Sequence, residues 1–143
     1  MKGKLISEGA QRTFAAVLDT DDEAVQCLTA FAREHRLSAS QFTAIGAFRD
    51  CVLGYFDWQK KDYLRIPIDE QVEVLALLGD VALNDGEPKL HAHVVVGKAD
   101  GTAHGGHLLE AHVRPTLEVI IIESPTHLQR RSDPKTGLAL IRL

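Results

Sequence analysis

The sequence is poor in cysteine, and it lacks the long apolar runs that mark membrane and secreted proteins. Its two cysteines, Cys27 and Cys51, form no CxxC pair, and their spacing matches no metal or redox motif. We therefore predict two buried thiols, since free cysteine is usually buried. No stretch approaches the roughly 20 apolar residues of a membrane-spanning helix, and the first residues lack the apolar run of a signal peptide. The cytoplasm is the predicted compartment.

Several motifs of catalysis and nucleotide binding are also missing. The chain has no Walker loop, no GxGxxG fingerprint, no GxSxG elbow and no evident Ser-His-Asp pattern. Its 16 basic and 20 acidic residues give a formal charge of −4. An acidic surface is repelled by a phosphate backbone, so this balance argues against a self-sufficient DNA-binding protein.

One segment has the pattern of an amphipathic helix. It begins near Thr20, because Thr20 followed by Glu23 fits a capping box. His35 falls in a basic last turn, where the helix dipole favours positive charge, so we assign it a structural role. Apolar residues recur between these ends at helical spacing: Ala24, Val25, Leu28, Phe31 and Ala32.

The remainder of the chain predicts short strands separated by turns. The strands follow a single helix in runs, which favours a mainly antiparallel sheet over a parallel one. With 143 residues, the chain is predicted to form one α+β domain over residues 1–143. The predicted strands are Thr13–Leu18, Gln41–Phe48, Cys51–Phe56, Tyr63–Pro67, Val72–Leu83, Lys89–Lys98, Leu117–Glu123 and Leu138–Leu143.

Alternation along the central strands indicates how the sheet is covered. In Leu90–Val96 the even-numbered residues are apolar and share one face, whereas His91 and His93 lie on the other. In Val74–Leu78 both faces are apolar, which indicates cover on both sides. One helix cannot cover two faces of a sheet. Either the sheet curls on itself, or another subunit covers the second face.

Five of the seven histidines fall within 22 residues, at positions 91–112. The pair His91 and His93 places two imidazoles on one strand face, about 7 Å apart. We expect a hairpin through Gly97–Gly101 to return the chain, and a tight turn at Gly105-Gly106 to let His107 approach. Three histidines plus water form an open zinc site. Such histidines can also be hydrogen-bonded structural residues or a pH-sensitive pair.

Spacing alone leaves other histidines open as the third ligand. His104 lies beside the predicted turn, and His112 lies in a strand or loop just before a proline. His127 is predicted to be an exposed loop residue.

Four motifs in combination identify a family: LLGDVAL, HAH, GGHLLEA and RPTLEVII. With them, the chain resembles the PPC domain (plants and prokaryotes conserved domain, or DUF296) from about Arg12 to its last strand, a core of about residues 12–143. The resemblance implies an α/β sandwich with a mainly antiparallel, curled sheet, and a homotrimer. It also implies a metal site at His91, His93 and His107, in preference to His104 and His112. Zinc is the first expectation for such a nitrogen-rich site.

The resemblance also carries an association with DNA. In plants this domain follows AT-hooks in nuclear DNA-binding proteins, but the Arg-Gly-Arg-Pro core of the AT-hook is absent here. We therefore do not expect this chain alone to bind DNA.

Two functions follow as expectations. The first is a trimeric, zinc-binding module with an assembly, partner-recruiting or regulatory role. The alternative is a small metal-dependent enzyme, since zinc lowers the pKa of a bound water to about 7. Its general base would be Glu118, with Glu73 and Glu110 as weaker candidates, although each of the three can equally be an ordinary surface carboxylate.

Overall fold

The computed structural model describes residues 2–7, 9–125 and 127–142. Within these ranges the chain forms nine strands and one helix. All strand pairs are antiparallel except the short pairing of β5 with β8. The elements are β1 Lys2–Ser7, β2 Arg12–Asp19, α1 Ala24–Glu34, β3 Ala39–Asp57, β4 Asp62–Ile68, β5 Val72–Asn84, β6 Glu87–Gly97, β7 Ala103–Glu123, β8 Gln129–Ser132 and β9 Ala139–Arg142.

The central strands close the sheet on itself. Strand β3 pairs with β5 and β7, and β6 pairs with both β5 and β7, so these four strands form a ring. The predictions of a mainly antiparallel sheet and a single helix are confirmed. The sandwich description fits only loosely, because the main body is one curled sheet with a helix against it. Along the described ranges, no helix combines the length and apolarity needed to span a membrane.

Two of the long strands were only partly predicted. Strand β3 is continuous where two strands were expected, and β7 includes residues 103–116, which were not predicted as a strand. The expected turn at Gly105-Gly106 is wrong, because both glycines lie inside extended β7. The turn before it is confirmed, since the Gly101 φ is +82° and the Lys98 N–H donates to the Thr102 carbonyl.

The helix begins later than the capping box predicted. Its N-cap is Glu23, whose carboxylate accepts hydrogen bonds from the backbone N–H of Val25 (3.2 Å) and of Gln26 (2.6 Å). The capping box at Thr20 is therefore wrong. Backbone hydrogen bonds tie Asp21 and Asp22 to Val113 of β7, and this pairing holds them outside the helix.

The helix packs its predicted apolar face into the core. Ala24, Leu28, Phe31 and Ala32 are buried. His35 caps the C-terminal end, and its ring packs on Phe31 at a centroid distance of 4.2 Å. The structural role predicted for His35 agrees with this position.

The two cysteines lie in the same apolar interior to different extents. Cys51 is fully buried, and burial raises the pKa of its thiol to about 11. Cys27 is partly buried, and desolvation followed by the charge of Asp22 raises its pKa as well. The buried-thiol prediction is confirmed for Cys51 and holds in part for Cys27.

One face of the sheet remains open although the sheet is curled. The alternation expected from the sequence is confirmed, because Leu117, Val119 and Ile121 are buried while Ile120 between them is 44% exposed. Neighbouring strands present further apolar side chains on their outer side. We call this set the open apolar face: Val17, Ile45, Leu75, Leu78, Val95 and Ile120.

Candidate metal centre

Two paired strands bring three histidines together. His93 of β6 lies directly opposite His107 of β7, and His91 projects from the same side of β6 two residues earlier. One ligand nitrogen of each ring lies within 4.8 Å of the others. The ring centroids are 5.0–5.4 Å apart. We call these three residues the histidine cluster.

An acidic residue on the adjacent strand orients His91. Asp80 of β5 lies opposite His91, with its Oδ2 3.5 Å from His91 Nδ1, and its other oxygen accepts a hydrogen bond from Arg130. Burial by itself raises the pKa of Asp80, but the contacts with His91 and Arg130 outweigh it, so the pKa is lowered. A charged carboxylate at Nδ1 leaves the Nε2 of His91 available, an arrangement typical of metal-bound histidines.

His107 provides the observation that tests whether a metal fits. Its Nδ1 is buried and has no hydrogen-bond partner in the part of the chain that the structure describes. Tyr63 stacks on the His107 ring, with centroids 4.6 Å apart. A buried polar atom without a partner is costly, and an ion is one explanation for it. The donor set, three imidazole nitrogens, suits zinc.

Burial also holds two of the rings in the form that binds metals. Desolvation, and then the charges of His91, His93 and Lys89, lower the pKa of His107 to about 4. Desolvation and then His91 lower the pKa of His93 as well. Both imidazoles are therefore neutral at pH 7, and neutral imidazole is the ligating form.

A cleft opens where the two histidine strands separate. Strand β6 pairs with β7 only from His93 to Gly97, and the earlier residues 87–92 of β6 run along β5. Strand β7 runs along β3 from His107 onward. The resulting cleft has a volume of about 450 Å³, and His91 and His107 line it. Helix α1, strands β4 and β8, and the segment that leads into β9 together with the start of β9 supply the other walls. We call this the fork cleft.

The other candidate histidines lie apart from the cluster. His104 is an exposed residue opposite Val96, three positions from His107 and therefore on the other side of β7. His112 lies five residues beyond His107, about 17 Å along the strand, and its Nδ1 is 2.6 Å from Asp50. His127 is an exposed loop residue, as predicted, and its Nδ1 is 2.7 Å from Ser38 Oγ.

Comparison with known families agrees with this architecture. A family model described as the Plants and Prokaryotes Conserved (PCC) domain matches residues 6–125. The chain belongs to the PCC domain family. The family resemblance drawn from the sequence motifs is thereby confirmed.

Solved structures of similar chains share the fold of this PCC domain. A plant- and prokaryote-conserved protein of Pyrococcus horikoshii is 32% identical with a TM-score of 0.86, over 92% of each chain. A metal-containing protein of Archaeoglobus fulgidus is 34% identical with a TM-score of 0.84, over 99% of this chain and 97% of that one. A candidate DNA-binding protein of Bacteroides thetaiotaomicron is 26% identical with a TM-score of 0.88, over 98% and 96%.

Among curated proteins, the PCC domain matches one part of a longer chain. A bifunctional protein GlmU of Synechococcus sp. strain JA-3-3Ab is 33% identical over 132 residues, which are 90% of this chain. The aligned region is 20% of that protein, so the chain spans about a fifth of the curated relatives it matches.

The carboxylates proposed as general bases lie outside the fork cleft of this PCC domain. Glu118 is exposed on β7, eleven residues and roughly 35 Å of strand from His107. Glu73 is exposed on β5 opposite Gly97. Glu110 forms an ion pair with Arg65 at 3.2 Å. The structure brings none of the three to the histidine cluster.

Residues that reasoning from sequence missed adjoin the cluster instead. Asp80 had a readable signal, since the short turn at Asp85-Gly86 sets a register in which residue 80 pairs with residue 91. Tyr63 and Arg130 had none, because distant parts of the chain bring them here.

Proposed function

We propose that this PCC domain is a divalent-metal-binding module whose ion, with zinc the first candidate, is held by His91, His93 and His107. The observation that carries the proposal is the convergence of three imidazoles, one with a buried Nδ1 that lacks a partner among the described residues. The metal-containing relative from Archaeoglobus fulgidus supports it. Zinc would supply Lewis acidity and a bound water at the position left by three protein ligands.

We also propose that the domain assembles as a homotrimer through the open apolar face. Its large apolar side chains are exposed, Ile45 to 62%, Leu78 to 58% and Leu75 to 55%, and exposed apolar patches mark interaction sites. His93 shares a depression with Leu78 and Val95 on this face. The metal and the subunit contact would therefore be neighbours.

The role of the assembled module is proposed to be partner recruitment or regulation, in the cytoplasm. The acidic balance of the chain opposes direct DNA binding. Metal-dependent catalysis is the second candidate, and one observation favours it: the fork cleft gives a small molecule access to His91 and His107.

Metal analysis of the purified protein tests the first proposal. We expect about one zinc per chain in the wild type, and none in the His91→Ala and His107→Ala variants. The matched control is His104→Ala, which removes an exposed histidine of the same strand and should leave the metal in place. Unchanged metal content in both cluster variants would refute the ligand assignment.

A mass measurement in solution tests the assembly separately. We expect a mass of three chains for the wild type and for His107→Ala. Leu78→Asp should reduce it, because a buried unpaired charge in an apolar interface is costly. The control Gln59→Asp changes an exposed turn residue outside the face. A monomeric wild type would rule out the trimer and leave the metal proposal standing.

A further inference from the structure

Two residues that line the fork cleft each carry a buried polar atom that lacks a partner. Within the described ranges, the buried side-chain atoms without a hydrogen bond are His107 Nδ1 and Arg130 Nε. Both residues line the fork cleft. The proposed metal accounts for His107 but not for the N–H of Arg130, since a cation does not accept a hydrogen bond.

Arg130 is held in place by its other nitrogens. Only 5% of its side chain is exposed; one terminal nitrogen is bonded to Asp80, and the other donates to the Ala139 carbonyl at 2.9 Å. The guanidinium is therefore preorganised, and its Nε–H remains as a buried donor without an acceptor. Leaving such a donor unmet costs free energy, so the position favours a ligand that offers an acceptor.

The charge of the residues that line the cleft indicates which kind of ligand could accept this hydrogen bond. Lys89 also lines the cleft, two residues before His91 and on the same side of β6. No Asp or Glu is among the lining residues, although the whole chain has a formal charge of −4. Asp80, just behind the lining, pairs with Arg130, so the positive charge of the lining comes from Lys89. That charge favours a negatively charged acceptor over a neutral one.

The remaining walls are apolar and leave limited space. Leucines from three elements and one helical valine form most of the surface. A volume of about 450 Å³ is in the range of small-molecule sites. An occupant thus needs a short apolar body as well as a charged end. The apolar side chains are Val25, Leu90, Leu108, Leu109, Leu138 and Leu140.

We propose that the fork cleft binds a small organic monocarboxylate, with its carboxylate on Arg130 and Lys89 and its apolar body among the leucines. The Nε–H of Arg130 and the ammonium of Lys89 are two donors, which suits the two oxygens of one carboxylate and its single negative charge. A phosphate monoester carries more charge and three terminal oxygens, which need more donors than these. The proposal adds a ligand class to the proposed metal centre, but both cationic groups belong to the chain, so binding does not require the metal.

Calorimetric titration with hexanoate, hexan-1-ol and butyl phosphate tests the proposal on metal-free and zinc-loaded protein. We expect saturable 1:1 binding of hexanoate to both forms, and binding at least about tenfold weaker for the alcohol, which lacks the charge-assisted hydrogen bonds. Lys89→Gln should weaken hexanoate by about tenfold, whereas Lys60→Gln, an exposed lysine in a turn, should not. The Arg130 Nε–H resonance in NMR spectra of the wild type should shift with hexanoate, which avoids an Arg130 variant that fails to fold.

Three results would overturn the proposal: equal affinity for hexanoate and the alcohol, tighter binding of butyl phosphate, or no hexanoate binding by metal-free protein. Absence of zinc from the purified protein would count against the metal proposal alone. Normal zinc content without hexanoate binding would count against the carboxylate alone.

Discussion

Two histidines on one strand differ in whether the protein satisfies them. His112, in the middle of β7, has its Nδ1 2.6 Å from Asp50, whose carboxylate also accepts from Arg49. His107, five residues earlier, buries its Nδ1 without a partner among the described residues. The fold itself provides a partner for His112 Nδ1, whereas the proposed metal would complete His107. The presence or absence of a hydrogen-bond partner thus distinguishes the two histidines better than residue type or burial does.

Glu123, at the far end of β7, is like His112 a side chain whose hydrogen bonds are made within the fold. Its removal should give the largest effect of the changes considered. Glu123 is buried and accepts hydrogen bonds from the backbone N–H of Ser38 (2.8 Å) and Ala39 (3.3 Å) and from the Ser38 and Ser40 hydroxyls. Glu123→Ala leaves these donors unmet, so we expect the free energy of unfolding to fall by about 3 kcal/mol. Urea denaturation measures the loss. Glu118→Ala, an exposed change on the same strand, is the control, and an equal effect of the two would contradict the structural role of Glu123.

Zinc addition should distinguish the two histidines directly. At a free zinc concentration about 100 times Kd, binding to the folded state raises the free energy of unfolding by about 2.7 kcal/mol. We expect this gain in the wild type and in His112→Ala, and no gain in His107→Ala. Thermal melts of metal-stripped protein with and without zinc measure it. A full zinc gain in His107→Ala would place the metal elsewhere.

With zinc present, we expect His107→Ala to be the less stable of the two histidine variants. Without metal, we expect His112→Ala to be the less stable one. His112→Ala removes a hydrogen bond to a charged, partly exposed carboxylate, and we expect a loss of about 1 kcal/mol. His107→Ala removes packing contacts, but it also removes a buried polar atom that has no partner among the described residues. The second change is favourable, so the free energy of unfolding should fall by less than the lost packing alone would cause. Urea denaturation in the presence of a chelator compares the two. A larger loss for His107→Ala would show that its ring has a mainly structural role.

The smallest expected effect is a pH dependence at Asp50. Burial raises its pKa, but hydrogen bonds from His112 and Arg49 outweigh this, and the net pKa is lowered below 3.8. The folded state then binds fewer protons than the unfolded state, so this stabilisation is present above about pH 3.8 and is lost as pH falls through the lowered pKa. We expect Asp50→Asn to flatten the stability curve there by less than about 1 kcal/mol. Denaturation at pH 2–5 measures the slope, and parallel curves would exclude this contribution.

Much of the site could be predicted because it depends on local alternation. The His-x-His spacing of β6 necessarily puts His91 and His93 on one face, and the confirmed turn before β7 returns the chain beside it. His107 was selected by family resemblance, since spacing left His104 and His112 open. The mechanism expected for its approach was wrong. A strand pairing brings it to His93, whereas a glycine turn had been predicted.

Helix limits and the supporting residues were predicted less well. Thr20 and Glu23 satisfy the capping-box pattern, but backbone pairing of Asp21 and Asp22 with β7 moves the first helical turn. Arg130 reaches Asp80 across 50 residues of sequence. Such contacts have no local signal, because they depend on how whole strands are ordered in the sheet.

The sequence by itself determined the family, the antiparallel character of the sheet, its buried and exposed faces and the pair His91 and His93. These follow from side-chain alternation and motif identity, which operate over a few residues. Only the tertiary structure decided that β6 and β7 separate at the His93–His107 pair, that a cleft forms there and that Arg130 lines it. Those features depend on which strands pair with one another. Strand pairing depends on contacts between residues that are far apart in the sequence, so no short segment determines it.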